Sequence, residues 1–296
     1  MIRTQMLMMG TIGIVFILLQ GCMADMRTPN IKKQGISQQE EQKGRALIEA
    51  AWTKHGFSNL KHHQTYGFTG DDIWKGMMGK MGKPWPEAES QIGFKYAVGS
   101  FDSQATFLNG QRKGLKAGLQ SWNYYEQEPG KALAFVETDE RIAFGLSAFH
   151  YFFELLDRMK SLPIVAYAGE KAFDGKKFDM VFATWEKAEP HMAHDQYVLW
   201  INQATGLLEY AVYSLRDNYL KMPGGKSFYG SIHYEDYRRI EGVLIPHTQT
   251  VFLNQPKEND EKHIHRLKVK DFQFDGFPIE ELYPDPALTK LGDRKK

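Results

Sequence analysis

Histidine is the residue class in this chain whose spacing comes nearest to chemistry. His191 and His194 flank Met192-Ala193 just before Asp195, and His263 and His265 fall on one face if their segment is a strand. Three imidazoles and a carboxylate bind zinc or copper when brought to one point. The opposing reading is solvated histidines at strand ends, and nothing in the spacing brings the two groups together, so no metal and no cofactor is expected. His150 lies within an apolar helical run, where a hydrogen-bonded buried histidine is expected in preference to a catalytic one. Gly225-Lys226-Ser227 has the end of a phosphate loop, but Leu220 stands where the leading glycine belongs. Gly145-Leu146-Ser147 fails as a nucleophile elbow because Phe149 replaces the second glycine. No HExxH or GxGxxG occurs. A metal-assisted hydrolase built on the histidines is the remote reading, and an enzyme is not expected.

The sole cysteine, Cys22, follows a leader with one early cation, Arg3, and an uncharged apolar run from Met6 to Leu19. That run is short for a membrane span and fits the core of a secretory signal. It ends in Leu19-Gln20-Gly21-Cys22, which resembles the bacterial lipobox. The resemblance implies cleavage after Gly21, acylation of Cys22 and a lipid anchor in the membrane; Met23 after the cysteine implies the outer membrane, with the protein facing the periplasm. The competing reading is an ordinary signal peptide that happens to contain a cysteine. With Cys22 acylated, no thiol nucleophile remains, and no intramolecular disulfide can form in either case.

The chain has 296 residues, 37 basic and 36 acidic. Loss of Arg3 with the leader leaves equal numbers, and a neutral chain lacks the electrostatic footprint of a nucleic-acid binder. Apolar content of 42% is enough for a packed core. Residues 1–21 are expected as the signal peptide, 22–37 as a flexible tether, 38–276 as one domain and 277–296 as a surface tail rich in proline and charge.

Within the domain, Gln38 to His55 reads as a helix, capped by Ser37 with Glu40 in the capping-box position. A strand from Leu60 to Phe68 is expected to stop at Gly70-Asp71-Asp72. The stretch from Gly70 to Gln91 mixes four glycines and two prolines with Trp74, Met77, Met78, Met81 and Trp85. It reads either as a mobile flap over an apolar opening, with Trp74, Met78 and Trp85 as its contacts, or as a loop whose tryptophans pack back on the sheet. Short strands follow at Gly93–Gly99, Gln104–Leu108, Leu119–Glu126 and Ala132–Glu137, with Asn109-Gly110 as a hairpin turn. Glu140 to Met159 is a helix apolar on nearly all faces, hence buried on most sides.

From Gly175 to Phe252 the pattern is a long antiparallel meander. Asp174-Gly175, Gly206 and Gly242 mark its turns, and Pro246 points to an edge or bulge. Leu267 to Phe274 is the last strand. The fold class is therefore α+β, a curved antiparallel half-barrel of about ten to twelve strands around one or two helices. In the central hairpin Tyr197, Leu199 and Ile201, with Leu208, Tyr210 and Val212 opposite, form the more apolar alternation. With Phe149 and Phe153 from the helix they line either a ligand cavity or a filled core.

Tyr167-Ala168-Gly169-Glu170, Met180 to Trp185, His194 to Asn202 followed by Thr205-Gly206-Leu207, and Tyr234 to Pro246 resemble segments of bacterial envelope proteins related to the outer-membrane lipoprotein carrier and receptor, the Lol-like proteins. The likeness covers most of residues 40 to 275 and is one of fold, without a catalytic signature. It implies a half-barrel whose concave apolar face receives acyl chains. The carrier is soluble, whereas this chain has its own lipobox and in that respect is closer to the membrane-bound receptor. A non-catalytic protein binding an acyl chain or other hydrophobic ligand is the first expectation. A scaffold with a filled core, presenting an edge strand or the Trp-rich loop to an envelope partner, is the second.

Overall fold

The computed structural model describes residues 23–216, 228–258 and 262–288. The leader, Cys22, Gly225-Lys226-Ser227 and the charged C-terminal residues lie outside the described residues.

Thirteen strands form one antiparallel sheet: β1 Thr65–Trp74, β2 Glu89–Ala97, β3 Ser103–Phe107, β4 Lys116–Gln120, β5 Asn123–Gln127, β6 Ala134–Phe135, β7 Ile164–Phe173, β8 Lys176–Thr184, β9 Tyr197–Asn202, β10 Leu208–Ser214, β11 Tyr229–Ile240, β12 Val243–Leu253 and β13 His265–Phe274. Their order is β6-β5-β4-β3-β2-β1-β13-β12-β11-β10-β9-β8-β7, which leaves the sheet open between β6 and β7. The chain thus runs outward from the centre to one edge, crosses to the other edge and meanders back. The count exceeds the expected ten to twelve partly because Leu119–Glu126 is two strands. Ser121 and Trp122 both take positive φ, 48° and 65°, and turn β4 into β5 without a glycine.

The crossing from β6 to β7 is made by α5 Glu140–Phe153 and α6 Leu155–Lys160 (α1 to α4 being Pro29–Gln34, Gln38–His55, Phe57–Leu60 and Gly76–Gly82). The single expected helix is interrupted at Glu154, whose φ of −101° and ψ of 14° leave the helical region. Asp139 caps α5 by accepting from the amides of Arg141 and Ile142. α5, α6 and α2 bury their apolar faces in the main core with the inward residues of the sheet, among them Phe68, Phe94, Leu199 and Ile245. The capping box at Ser37 and Glu40 starts α2. Gly44 lets α2 approach β7, since a Cβ there would meet the Ala166 carbonyl carbon and the Tyr167 nitrogen at 2.7 Å.

Asp174-Gly175 and Glu241-Gly242 are both tight turns with two positive φ values, as the hairpins require. Pro246 is paired with β11, while β12 pairs with β13 only over Thr248–Val251, so the ring that cannot donate sits where β12 has one neighbour. Gly70-Asp71-Asp72 does not stop the first strand. β1 continues through it because Gly70 makes room for Leu267 and Phe94, and Asp72 is bonded to His265.

The described parts of both terminal segments are in contact with the domain. Residues 29–34 form α1, and Ile31, 2% exposed, joins a second apolar cluster on the outer face of the sheet with Ala166, Phe178, Trp200 and Tyr210. At the other end Gln120 bonds the Asp285 carbonyl at 2.7 Å and the Asp285 amide at 3.0 Å, and Leu282 is wholly buried.

A candidate ligand cavity between helix and sheet

A cavity of about 410 Å³ opens between α5 and the concave face of the sheet. One wall is α5, through Phe144, Ser147, Ala148, Phe149, Tyr151 and Phe152. Facing it are Tyr197 and Tyr213 from β9 and β10, Ile232 from β11, and Gln249, Val251 and Leu253 from β12. Trp74, Met78 and His265 close one end; Trp122, Trp185 and the stretch Ala193 to Asp195 close the other flank. The size is within the roughly 300–1,000 Å³ range of small-molecule sites, and the lining is mostly apolar and rich in aromatic rings, as such sites are.

Of the residues singled out from sequence, Phe149 and Tyr197 line this cavity. Phe153 does not reach it; its ring packs 4.8 Å from Phe68 in the core below. Leu199 and Ile201 share the inner face with Tyr197 but belong to the filled core. Tyr210 is on the outer face, in the cluster with Phe178 and Trp200, and Val212 lies beside it. The cause is a bulge: Leu208 pairs with Ile201 and Tyr210 with Trp200, so Glu209 is an extra residue that reverses the alternation. Beyond it Ala211 and Tyr213 face inward. The Trp-rich stretch divides. Trp74 and Met78 line the cavity, whereas Trp85, 1% exposed, is fixed in the core against Phe149 and over Gly145. α4 is itself seated, with Gly79 close against the Ile264 carbonyl.

Sequence reasoning missed Trp122, Trp185, Tyr213, Gln249 and His265 as lining residues. The positive-φ turn at Ser121-Trp122 has no glycine signal, and Tyr213 depends on the bulge. Gln249 is a polar residue on an inward position of β12, visible as such only once the register is known.

The polar groups of the wall are few and placed. Asp72, fully buried, accepts from the Trp74 indole N–H at 2.6 Å and from His265 Nε2. The His265 ring is stacked on Trp74 at 4.2 Å and lies 5.3 Å from Phe149. At the rim, Asp195 accepts from the Ser214 hydroxyl at 2.7 Å and the Arg216 amide at 2.8 Å. The Arg216 guanidinium in turn donates to the carbonyls of His191 and Ala24. Burial holds the Tyr197 and Tyr213 hydroxyls well above the ordinary tyrosine value, so both remain neutral. Ser147 donates to the Ala143 and Phe144 carbonyls.

Under the cavity His150 Nε2 lies 3.1 Å from Glu154, which also pairs with Arg158 at 2.9 Å and accepts from the Gly99 amide. Burial opposes the Glu154 carboxylate, but His150, Arg158 and Gly99 outweigh it and keep its pKa below the usual range; burial lowers that of His150. His191 and His194 pack ring to ring at 4.9 Å, and His194 bonds Glu186 at 3.0 Å. Among the described residues no three His, Cys, Asp or Glu side chains are grouped so as to hold a metal ion.

The open sheet with its inner helices matches known structures over nearly their whole length. The chain has an α+β fold, an open antiparallel half-barrel curved round its helices. A DUF1329 family protein from Desulfovibrio piger superposes with a TM-score of 0.52 at 13% identity, over 83% of this chain and 98% of that one. A putative outer membrane lipoprotein-sorting protein domain from Vibrio parahaemolyticus gives 0.50 at 10% identity, over 84% of this chain and all of the other. No protein-family model matches the sequence, and no curated protein does. In this chain the concave face under the helices retains a cavity.

Proposed function

We propose that this protein is a lipid-anchored envelope protein that holds an acyl chain or another apolar molecule in the helix-to-sheet cavity without catalysing a reaction. The observation that carries the reading is the aromatic cavity of about 410 Å³. Each methylene taken from water into such a site contributes about 0.8 kcal/mol before the costs of association, which suffices without strong polar contacts. The likeness to a lipoprotein-sorting domain supports the same ligand class. The Ser147 hydroxyl is occupied by backbone carbonyls, so that wall offers no primed nucleophile.

The position of the N-terminal segment supports membrane anchoring through acylated Cys22. Ala24 accepts from Arg216, whose amide is bonded to Asp195 at the cavity rim. In this reading the anchor at Cys22 precedes a segment that is tied, through Arg216, to the rim residue Asp195. Met192, 54% exposed, follows the same rim, and Met77, 74% exposed, flanks Met78 across it. The protein then takes its ligand directly from an outer-membrane leaflet facing the periplasm.

The test is native mass spectrometry with lipid extraction on the mature chain carrying Cys22→Ala, so that its own anchor is absent. A stoichiometric apolar ligand is expected, and it should be lost in Ala148→Phe, which places a ring in the cavity, while the melting temperature is kept. Protein that is empty and takes up no fluorescent fatty acid would sink the reading and turn attention to an envelope protein partner.

A further inference from the structure

The sheet wall of the cavity contains two polar side chains with unused capacity. Gln249 is 3% exposed and lines the cavity, yet its Nε2 has no hydrogen-bond partner. With nothing to fix its orientation, the amide is free to turn an N–H toward the cavity. His265 is on the same face one strand away: Gln249 pairs with Leu267 and Val251 with His265, which makes Gln249 and His265 diagonal neighbours, roughly 7–8 Å apart at Cα.

His265 is oriented from behind. Asp72 is an acceptor, already taking the Trp74 N–H, so His265 Nε2 is the protonated nitrogen of their bond. The ring is held between Trp74 and Phe149. Nδ1 makes no hydrogen bond to the described residues. A largely apolar pocket therefore presents one uncommitted amide and one uncommitted ring nitrogen on neighbouring strands. A purely hydrocarbon ligand would leave both unpaired, the costly outcome for buried polar groups.

We infer that the ligand carries a free carboxyl group, seated between Gln249 and His265, with its alkyl chain running along the aromatic walls. This rests on the apolar-ligand reading above and narrows it to fatty acids and similar amphiphilic acids. A carboxyl matches the pair: one oxygen accepts from Gln249, and a single proton lies between the other oxygen and His265 Nδ1. An ester has acceptors only and no such proton to share, and an alcohol has one oxygen for two partners.

The experiment uses the tryptophans of the wall. Trp74, Trp122 and Trp185 line the cavity, so tryptophan fluorescence of the Cys22→Ala mature chain reports filling. It is titrated with palmitic acid and with methyl palmitate. The acid is expected to bind roughly tenfold more tightly, the scale of one charge-assisted or well-made buried hydrogen bond. Gln249→Leu, which removes an unpartnered buried amide and so should not impair folding, is expected to weaken the acid to the level of the ester while the ester changes by less than about twofold. Equal binding of acid and ester by the unmodified cavity, or an acid preference that survives Gln249→Leu, overturns the carboxyl site and leaves the apolar-ligand reading standing. Binding of neither probe overturns both.

Discussion

His55 makes the stability of this protein sensitive to mild acid. It is the last residue of α2, 2% exposed, and its Nε2 accepts from the Leu208 amide at 3.1 Å. Only the neutral ring can accept there. Burial first, then the charge of Arg239, lowers its pKa from 6.5 to about 4. Because the folded value is depressed, the contribution is complete above the unfolded pKa near 6.5, declines as pH falls from there, and levels off below the folded value. A displacement of that size corresponds to a loss of about 3 kcal/mol. The assay is urea unfolding from pH 7.5 to 3.5 on the native sequence and on His55→Gln, whose amide oxygen keeps an acceptor for Leu208 without titrating in this range. Other buried groups titrate in both proteins and cancel in the difference. The native protein should lose about 3 kcal/mol relative to the variant across that window. Parallel pH curves would refute the reasoning, for the Leu208 bond would then not depend on a neutral His55.

The buried network and the outer-face helix give two further expectations. Glu154→Gln leaves Arg158 without its carboxylate and should cost about 3–5 kcal/mol, as broken buried pairs do; a urea midpoint shift corresponding to less than about 1 kcal/mol would show that the pairing is not a structural requirement. Ile31→Asp removes the side chain that docks α1 on the outer cluster, and tryptic cleavage after Lys32 and Lys33 should accelerate while the unfolding midpoint of the sheet changes little; unchanged cleavage would mean that α1 is held by other contacts.

Hairpin chemistry and helix capping were legible because they are local. Asp174-Gly175 and Gly242 announce positive φ, and Ser37 with Glu40 announces the start of α2, so the antiparallel meander and its helices follow from neighbouring residues. The inner face of β9 was equally readable from Tyr197, Leu199 and Ile201. What was not legible depends on partners far along the chain. One extra residue at Glu209 moves Tyr210 to the opposite face, and no composition marks that bulge. Gly70-Asp71-Asp72 looks like a strand terminator until His265 is known to lie beside Asp72. The polar stretch before Ser37 looks like a tether because the few apolar residues that dock it, Ile31 with Met26 and Ile36, are scattered among polar ones. The cavity itself is a matter of which core positions remain unfilled, and that is a property of register and helix placement rather than of any segment.

The order of strands in the sheet also governs when the cavity comes into existence. β1 to β6 and β7 to β13 are each built mainly by neighbour-to-neighbour hairpins, but β1 meets β13 through pairs such as Tyr66 with Phe274, some two hundred positions apart, and such non-local pairings are slow to close. Trp74 comes from one side of that seam; Tyr197, Gln249 and His265 come from the other. A ligand that touches both sides binds only the zipped molecule, so occupancy and seam closure are coupled equilibria: each raises the population of the other by mass action. Opening at the seam is accordingly the motion that an occupant suppresses most, and slower amide hydrogen exchange along β1 and β13 is its signature.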